Sequence, residues 1–478
     1  MARLTSRAIF FAWYHAMGVA TEVGLRSREG VFSLAEVRPF RGLRYNQDAI
    51  GDLSLVVAPP YDVIDDKARD AYYNRHPYNV IRLILNRSKK SDADPDQPYV
   101  RAGEFLQRWI AQRVIIRDPV PGLYLYRQRY FLEGRYHECT GVIARVRVEE
   151  IEAGGIKPHE DIMPRPLADR MKLLEHTGAN LDVVQALYSD PPEKLQRPIL
   201  KEMERFPLAQ FQTADGIAHD VWWVSDEGFV SRIARFFDGR NLYIADGHHR
   251  YQTALEYARR LRASGEITSE SDPRNFLLMM IVEMENPGLS VLPVHRIVLG
   301  GEGIDAAGLL PRLSEWFTVS EVDMPAGPRS GQVFHMLKEL KEAAGSGIVF
   351  GAFARDPERM LMMAWRPEQD VTRVIEGDFS DAYKHLDVTV LHKLVIEKLL
   401  GIPAERNAVE RGLAFTRDPL EAARMVDSGE GAIAFYLNPT QVERVRDIAD
   451  HGEKMPQKST YFHPKPCSGV VMSKVTEW

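Results

Sequence analysis

Asn241-Leu242-Tyr243-Ile244-Ala245-Asp246-Gly247-His248-His249-Arg250-Tyr251 is the stretch on which the reading of the fold turns. Leu242 to Ala245 are apolar and read as a buried strand, which Asp246-Gly247 breaks. Tyr251, Ala254, Leu255, Ala258 and Leu261 then recur three or four apart, the period of a helix with one apolar stripe. The polar residues Asp246 to Arg250 therefore fall where a strand ends and a helix begins. Free N–H groups and the positive end of the helix dipole meet there, which suits an anion such as a phosphate. Arg250, one turn in, has the reach to close on that anion with two parallel hydrogen bonds. An ordinary turn capped by Asp246, with two exposed histidines, accounts for the same residues.

Outward from this stretch, Phe276 to Met284 is strongly apolar and reads as a central strand, followed by a turn at Asn286-Pro287-Gly288 and a strand from Leu289 to Val298. That last strand carries His295-Arg296, which either satisfy each other or project from a sheet end into a cleft. Upstream, Leu53 to Ala58 reads as a buried strand stopped by Pro59-Pro60, and Asp65 as the cap of a helix ending near His76-Pro77. Asn79 to Leu85 reads as another strand. Leu123 to Leu132 and Tyr136 to Val148 form a hairpin through Glu133-Gly134.

A second polar concentration, Gly154 to Asp161 with Met163-Pro164-Arg165-Pro166, precedes a short helix from Leu167 to His176. Its Lys157, His159, Glu160 and Arg165 supply an acid/base group and anion-binding charge, unless the segment is simply a solvated loop. Asp387 to Leu400 reads as an amphipathic helix whose His392 serves packing. A last cluster runs from Lys454 to Lys465. There Lys458, Ser459 and Thr460 offer a cation and two hydroxyls beside rigid prolines.

Length and composition bound the answer. A chain of 478 residues exceeds one ordinary domain, and 45% hydrophobic with 27% charged residues fits a globular protein. A net charge of −6 argues against nucleic acid as a partner. Two cysteines, Cys139 and Cys467, give no disulfide framework and no thiolate zinc site, which fits a cytoplasmic location. No stretch is apolar enough to span a membrane. Residues 1–30 read either as a weak signal peptide or as an N-terminal extension that is not translated, with the true start at Val31 through a GTG codon. The expected division is a core domain over 31–300 with the phosphate loop, an inserted α/β subdomain over 301–380, and a C-terminal segment over 381–478 that completes the site.

Six segments together resemble one large bacterial and archaeal family, the domain of unknown function 1015 family. They are Ala58-Pro59-Pro60-Tyr61-Asp62-Val63-Ile64, Lys157-Pro158-His159-Glu160, Thr177-Gly178-Ala179-Asn180, Ile244 to Tyr251, Leu292-Pro293-Val294-His295-Arg296 and Met455 to Phe462. More distantly, Asp246-Gly247-His248-x-Arg250 is similar to the loop of free L-serine kinases built on the ParB/sulfiredoxin-like fold. The resemblance implies an α+β fold: a ParB/sulfiredoxin-like core with an inserted α/β subdomain and a C-terminal α/β segment. It implies phosphate contact by Gly247, His248 and Arg250, with Asp246 near metal or substrate. Position 249 departs, being His where those kinases tend to have Thr.

The expected function is a small-molecule phosphotransferase, with free L-serine as the named acceptor, ATP, ADP or pyrophosphate as donor and Mg²⁺ bound through Asp246. Glu160, with Asp62 as second choice, takes the proton of the attacking hydroxyl. Catalytic roles are expected for Glu160, Asp246, His248 and Arg250. Binding roles are expected for Gly247, His249, Lys157, His159, Arg165, His295, Arg296, Lys458, Ser459, Thr460 and Asp62. Two rivals are a metal-dependent hydrolase or phosphatase, using His159, His248, His249 and His295, and a nucleotide-gated ParB-like binding module. A homodimer is left open. All of these readings require the distant clusters to converge on one cleft.

Overall fold

A computed structural model describes residues 35–151, 154–191, 193–300, 306–355, 358–402 and 412–478. The expectation about residues 1–30 lies outside the described residues. The fold is α+β, with two mixed or antiparallel sheets as its two centres.

The larger sheet has nine strands. Its order is Ile156–Pro158, Leu242–Asp246, Val184–Tyr188, Phe276–Glu283, Arg135–Arg147, Leu123–Leu132, Ala218–Val224 and Ala209–Gln212, with Val37–Arg38 on the far part of Arg135–Arg147. The central strand Phe276–Glu283 explains its own unbroken apolar sequence. Leu278, Met280 and Val282 pack into the core on one face, and Leu277, Met279 and Ile281 into the core on the other. A strand buried on both faces has no need of polar alternation. The second face is covered by helices Glu227–Phe237 and His248–Ala263, through Phe229, Ile233, Phe237, Tyr251, Leu255 and Ala258.

The second sheet has six antiparallel strands: Phe317–Glu321, Glu358–Trp365, Val349–Arg355, Gly431–Leu437, His295–Leu299 and Leu413–Thr416. Helix Arg329–Ala343 covers it with Val333, Met336 and Leu340 against Ile297, Phe353 and Tyr436. Three of its strands come from the segment 301–380. The other three come from either side of it, so one continuous ladder joins the expected insertion to its flanks.

Three local expectations are corrected. Leu53 to Ala58 is a short 3₁₀ turn, Leu53–Leu55, not a strand, and Asn79 to Leu85 forms the helical turn Ile81–Ile84. One side chain accounts for both. The Asn79 amide donates to the carbonyls of Leu55 (2.7 Å) and Val57 (3.2 Å), taking the place of a strand partner. Its Oδ1 accepts the N–H of Ile81 at 3.0 Å and starts the helix. The third concerns Leu289 to Val298, which splits at Pro293. Ser290–Leu292 pairs with Tyr461–His463, and His295–Leu299 enters the six-stranded sheet. The helix from Asp387 continues, wound as a π-helix over Leu391–Leu399. Among the described residues no helix is long and apolar enough to cross a membrane.

Candidate active site

Strand Leu242–Asp246 lies between two partners, antiparallel to Val184–Tyr188 and parallel to Ile156–Pro158. The parallel register sets Ile244 against Pro158. His159 and Glu160, which follow Pro158, therefore emerge beside Ala245 and Asp246. The register slips between Ile244 and Asp246, and Gly247 turns the chain with φ +91° into helix His248–Ala263. Only glycine suits this position. A Cβ there would also lie 2.9 Å from Arg250 Nε and Nη2.

The C-terminal tail is docked at the end of strand Ile156–Pro158, the parallel neighbour of Leu242–Asp246. Met455 N–H donates to His159 O at 2.9 Å, and Lys454 Nζ to Pro158 O at 2.6 Å. Tyr461–His463 is anchored by its pairing with Ser290–Leu292. These contacts bring the tail over the helix start, and a cleft of about 800 Å³ remains between them. Its walls include Asp62, Glu160, Asp246, Gly247, His248, His249, Arg250, Lys458 and Thr460 of the expected residues.

Charge in the cleft is organised around Asp246. Its Oδ2 accepts from Arg250 Nη2 at 2.6 Å, and its Oδ1 from the ammonium of Lys465. Burial alone would raise this carboxyl, but Lys465 and Arg250 overcome that and hold it below the ordinary carboxylate range. Arg250 is held from behind as well, by the carbonyl of Val183. It acts as a brace for the loop more than as a free clamp. Arg250 and Lys465 share Asp246 and also feel the charge of Asp62, with Asp182 behind Arg250, so these cations are balanced by more than one carboxylate beside the helix N-terminus, where the first N–H groups have no intrahelical acceptor. An anion is the natural occupant.

Glu160 faces this mixed set of charges. Burial raises its carboxyl to about 7, with the charges of Asp246 and Asp62 adding to the rise and those of Lys458 and Lys465 opposing it. Its side chain keeps 25% exposure, toward the cleft, so solvent screening moderates the rise. His248 is buried and accepts the His159 N–H on Nε2 at 3.4 Å. Burial first, then the neighbouring His159 and Lys454, hold its ring neutral. Lys458 stands exposed on the cleft wall with φ +57°, a left-handed backbone conformation that a side chain adopts only at a cost.

The other expected residues do not reach the cleft. Lys157 pairs with Asp450 at 2.7 Å. His159 is buried and meets Thr460 Oγ1 at 3.1 Å. Ser459 is buried and donates to Pro456 O within its own loop. Arg165 is exposed outside the lining. His295 lies buried in the six-stranded sheet, where its Nδ1 accepts the Leu437 N–H at 3.4 Å. Arg296 is fully buried. Its guanidinium donates to His392 Nε2 (3.1 Å), to the carbonyl of Val294 and to that of Lys458 (3.0 Å). It therefore braces the Lys458 loop from outside the cleft lining. Of the six sequence clusters, Thr177 to Asn180 stays away from the cleft, ending in a small ladder with Ser473–Lys474. Sequence reasoning passed over Lys465 and Tyr461, though both lie in the terminal cluster, and Arg417, which nothing in the sequence marks.

Asp246 does not suit a metal, because both its oxygens already serve cations. The four histidines of the hydrolase reading do not assemble either, since His295 sits in the other sheet. Among the described residues no group of three or more His, Cys, Asp or Glu has the arrangement of a metal site.

Residues 37–389 match the model of the family described as "Protein of unknown function (DUF1015)". No curated protein matches the chain. Among solved structures it is similar to a conserved hypothetical protein from Pyrococcus furiosus at 15% identity, covering 70% of this chain and 95% of that one with a TM-score of 0.32. It is also similar to a free serine kinase in complex with AMP, at 15% identity, 67% and 86% coverage and a TM-score of 0.32. A C-terminally truncated SbnI from Staphylococcus aureus matches at 9% identity, 68% and 85% coverage and a TM-score of 0.30.

Proposed function

We propose that this chain, which belongs to the DUF1015 family, transfers a phosphoryl group from a nucleotide to the hydroxyl of a small acceptor. The observation that carries the reading is one cleft holding a helix N-terminus at Gly247–His249, the cations Lys458 and Lys465, and a carboxyl raised to about 7 at Glu160. Phosphoryl transfer asks a protein for position and charge neutralisation more than for covalent chemistry.

In this reading the N–H groups of the first helical turn and the Lys465 ammonium hold the donor phosphates. Arg250 and Asp246 fix that ammonium and the loop. The acceptor oxygen attacks the terminal phosphorus and the bond to the bridging oxygen breaks. The acceptor proton passes to Glu160, whose raised pKa matches a base working near neutral pH. Lys458 neutralises charge on the transferring group. A divalent cation arriving with the nucleotide would be held by phosphate oxygens and by Asp62, exposed on the cleft wall, and would share in that neutralisation. Free L-serine is the first acceptor to try, with ATP, ADP and pyrophosphate as donors. Purified protein is incubated with each donor, Mg²⁺ and a panel of amino acids and sugars, and products are read by mass spectrometry. A phosphorylated acceptor is expected; none with any donor would refute the reading, and nucleotide binding without product would favour a nucleotide-gated binding module.

A further inference from the structure

Part of the cleft lining comes from the six-stranded sheet and the turn after it, through Phe415, Thr416, Arg417, Asp418 and Glu421. Arg417 sits where strand Leu413–Thr416 ends and helix Pro419–Asp427 begins. Its guanidinium carbon lies 3.8 Å from the centre of the Tyr461 ring, and the ammonium of Lys465 lies 4.5 Å from the same centre. Lys465 is already committed to Asp246. Arg417 is not committed. The two acids on its own turn are both occupied: Asp418 Oδ1 caps the helix by accepting the Leu420 N–H at 2.9 Å, and Glu421 accepts from Thr416 Oγ1 at 2.6 Å. Among the described residues no carboxylate closes on Arg417. A guanidinium held against an aromatic ring keeps its fork of N–H donors oriented, and that fork matches the two oxygens of a carboxylate or a phosphate.

We propose that Arg417, seated on Tyr461, is the clamp for an anionic group on the phosphoryl acceptor, which is therefore a hydroxyl compound carrying a carboxylate or a phosphate. This rests on the phosphotransferase reading, since it takes the Gly247 wall as the donor side. The placement supports it. The two cations share one ring, with the donor-side cation held by Asp246 and the uncommitted one on the part of the lining that the six-stranded sheet supplies. Phe415 and Val294 give that part an apolar floor for the carbon skeleton.

The test is calorimetry on the full chain, titrating ADP, then L-serine, glycerol 3-phosphate and glycerol into the ADP-loaded protein. Wild type, Arg417→Ala and Arg417→Lys are compared. The expected result is that one or both anionic probes bind and glycerol does not. Arg417→Ala should weaken that binding about tenfold or more while ADP affinity holds, and Arg417→Lys should restore only part of it, because it returns charge without the fork. Binding of L-serine alone identifies a carboxylate subsite, and of glycerol 3-phosphate alone a phosphate subsite. The proposal is overturned if neither anion binds a protein that binds ADP, if Arg417→Ala binds them as well as wild type, or if that variant loses ADP instead. Failure of the wild type to bind ADP would remove the donor reading itself, and this inference with it.

Discussion

The Nδ1 atom of His248 lies 3.9 Å from Oε2 of Glu160. Because Nε2 of the same ring accepts the His159 N–H, the proton of the neutral imidazole is on Nδ1, facing the carboxylate. Glu160 thus sits between a neutral donor and the cations Lys458 and Lys465, in a position from which it can take a proton near neutral pH.

That arrangement fixes a pH dependence. With the Glu160 carboxyl raised to about 7, kcat/KM for transfer should rise through pH 7 and level off above it, and Glu160→Gln should abolish the limb. The sign for stability is opposite. A folded pKa above the ordinary 4.5 means the native state binds this proton more tightly than the unfolded chain does. Stability contributed by the protonated form is present below pH 4.5 and lost as pH rises toward 7. Thermal denaturation should therefore show Glu160→Gln gaining on wild type between pH 5 and pH 8. A gap that shrinks over that range would contradict the burial argument.

Gly247→Ala tests the loop. The left-handed backbone costs a residue with a Cβ about 1–2 kcal/mol, and the added carbon meets Arg250. Urea denaturation should register that loss. ADP titration should show affinity weakened by roughly tenfold, since the displaced N–H groups are the ones that hold phosphate.

Lys465→Met removes one of the two cations on Asp246, whose side chains are each 9% exposed. Leaving a buried carboxylate undercompensated costs about 3 kcal/mol. Adding Asp246→Asn should recover part of it, so the double-mutant cycle should show strong coupling. Additive effects would mean the pair is not a unit.

Arg296→Lys keeps the charge but not the fork that reaches His392, Val294 O and Lys458 O. We expect a loss of about 1–3 kcal/mol in stability. Hydrogen exchange should speed up over residues 456–460 with the strands of the large sheet unchanged. An unaffected loop would mean that Lys458 holds its conformation without Arg296.

Phe276–Glu283, Leu242–Asp246 and the hairpin Leu123–Leu132 with Arg135–Arg147 were legible because their chemistry is local, whereas Ile156–Pro158, Val184–Tyr188 and Ala209–Gln212 were not, being short and defined by their sheet partners. The apolar run at 276–283 and the Glu133-Gly134 turn need no distant information. Leu53 to Ala58 and Asn79 to Leu85 misled because one buried Asn79, acting across more than twenty residues, outcompeted their strand propensity. The polar clusters were visible as clusters, but spacing does not tell a ligand contact from a brace. Arg296 and His295 are buried in another sheet, and Ser459 serves its own loop. Lys465 lies 219 residues from the Asp246 it neutralises. Arg417 acquires meaning only once Tyr461 is beneath it.

The most direct measurement is a comparison of wild type and Glu160→Gln, each assayed for ADP binding and for phosphoryl transfer to the acceptor panel. The account predicts equal ADP affinity, a phosphorylated acceptor with wild type, and transfer slowed by about 10²-fold or more in the variant. A variant that transfers as fast as wild type, or a wild type that transfers to nothing from any donor, would contradict it.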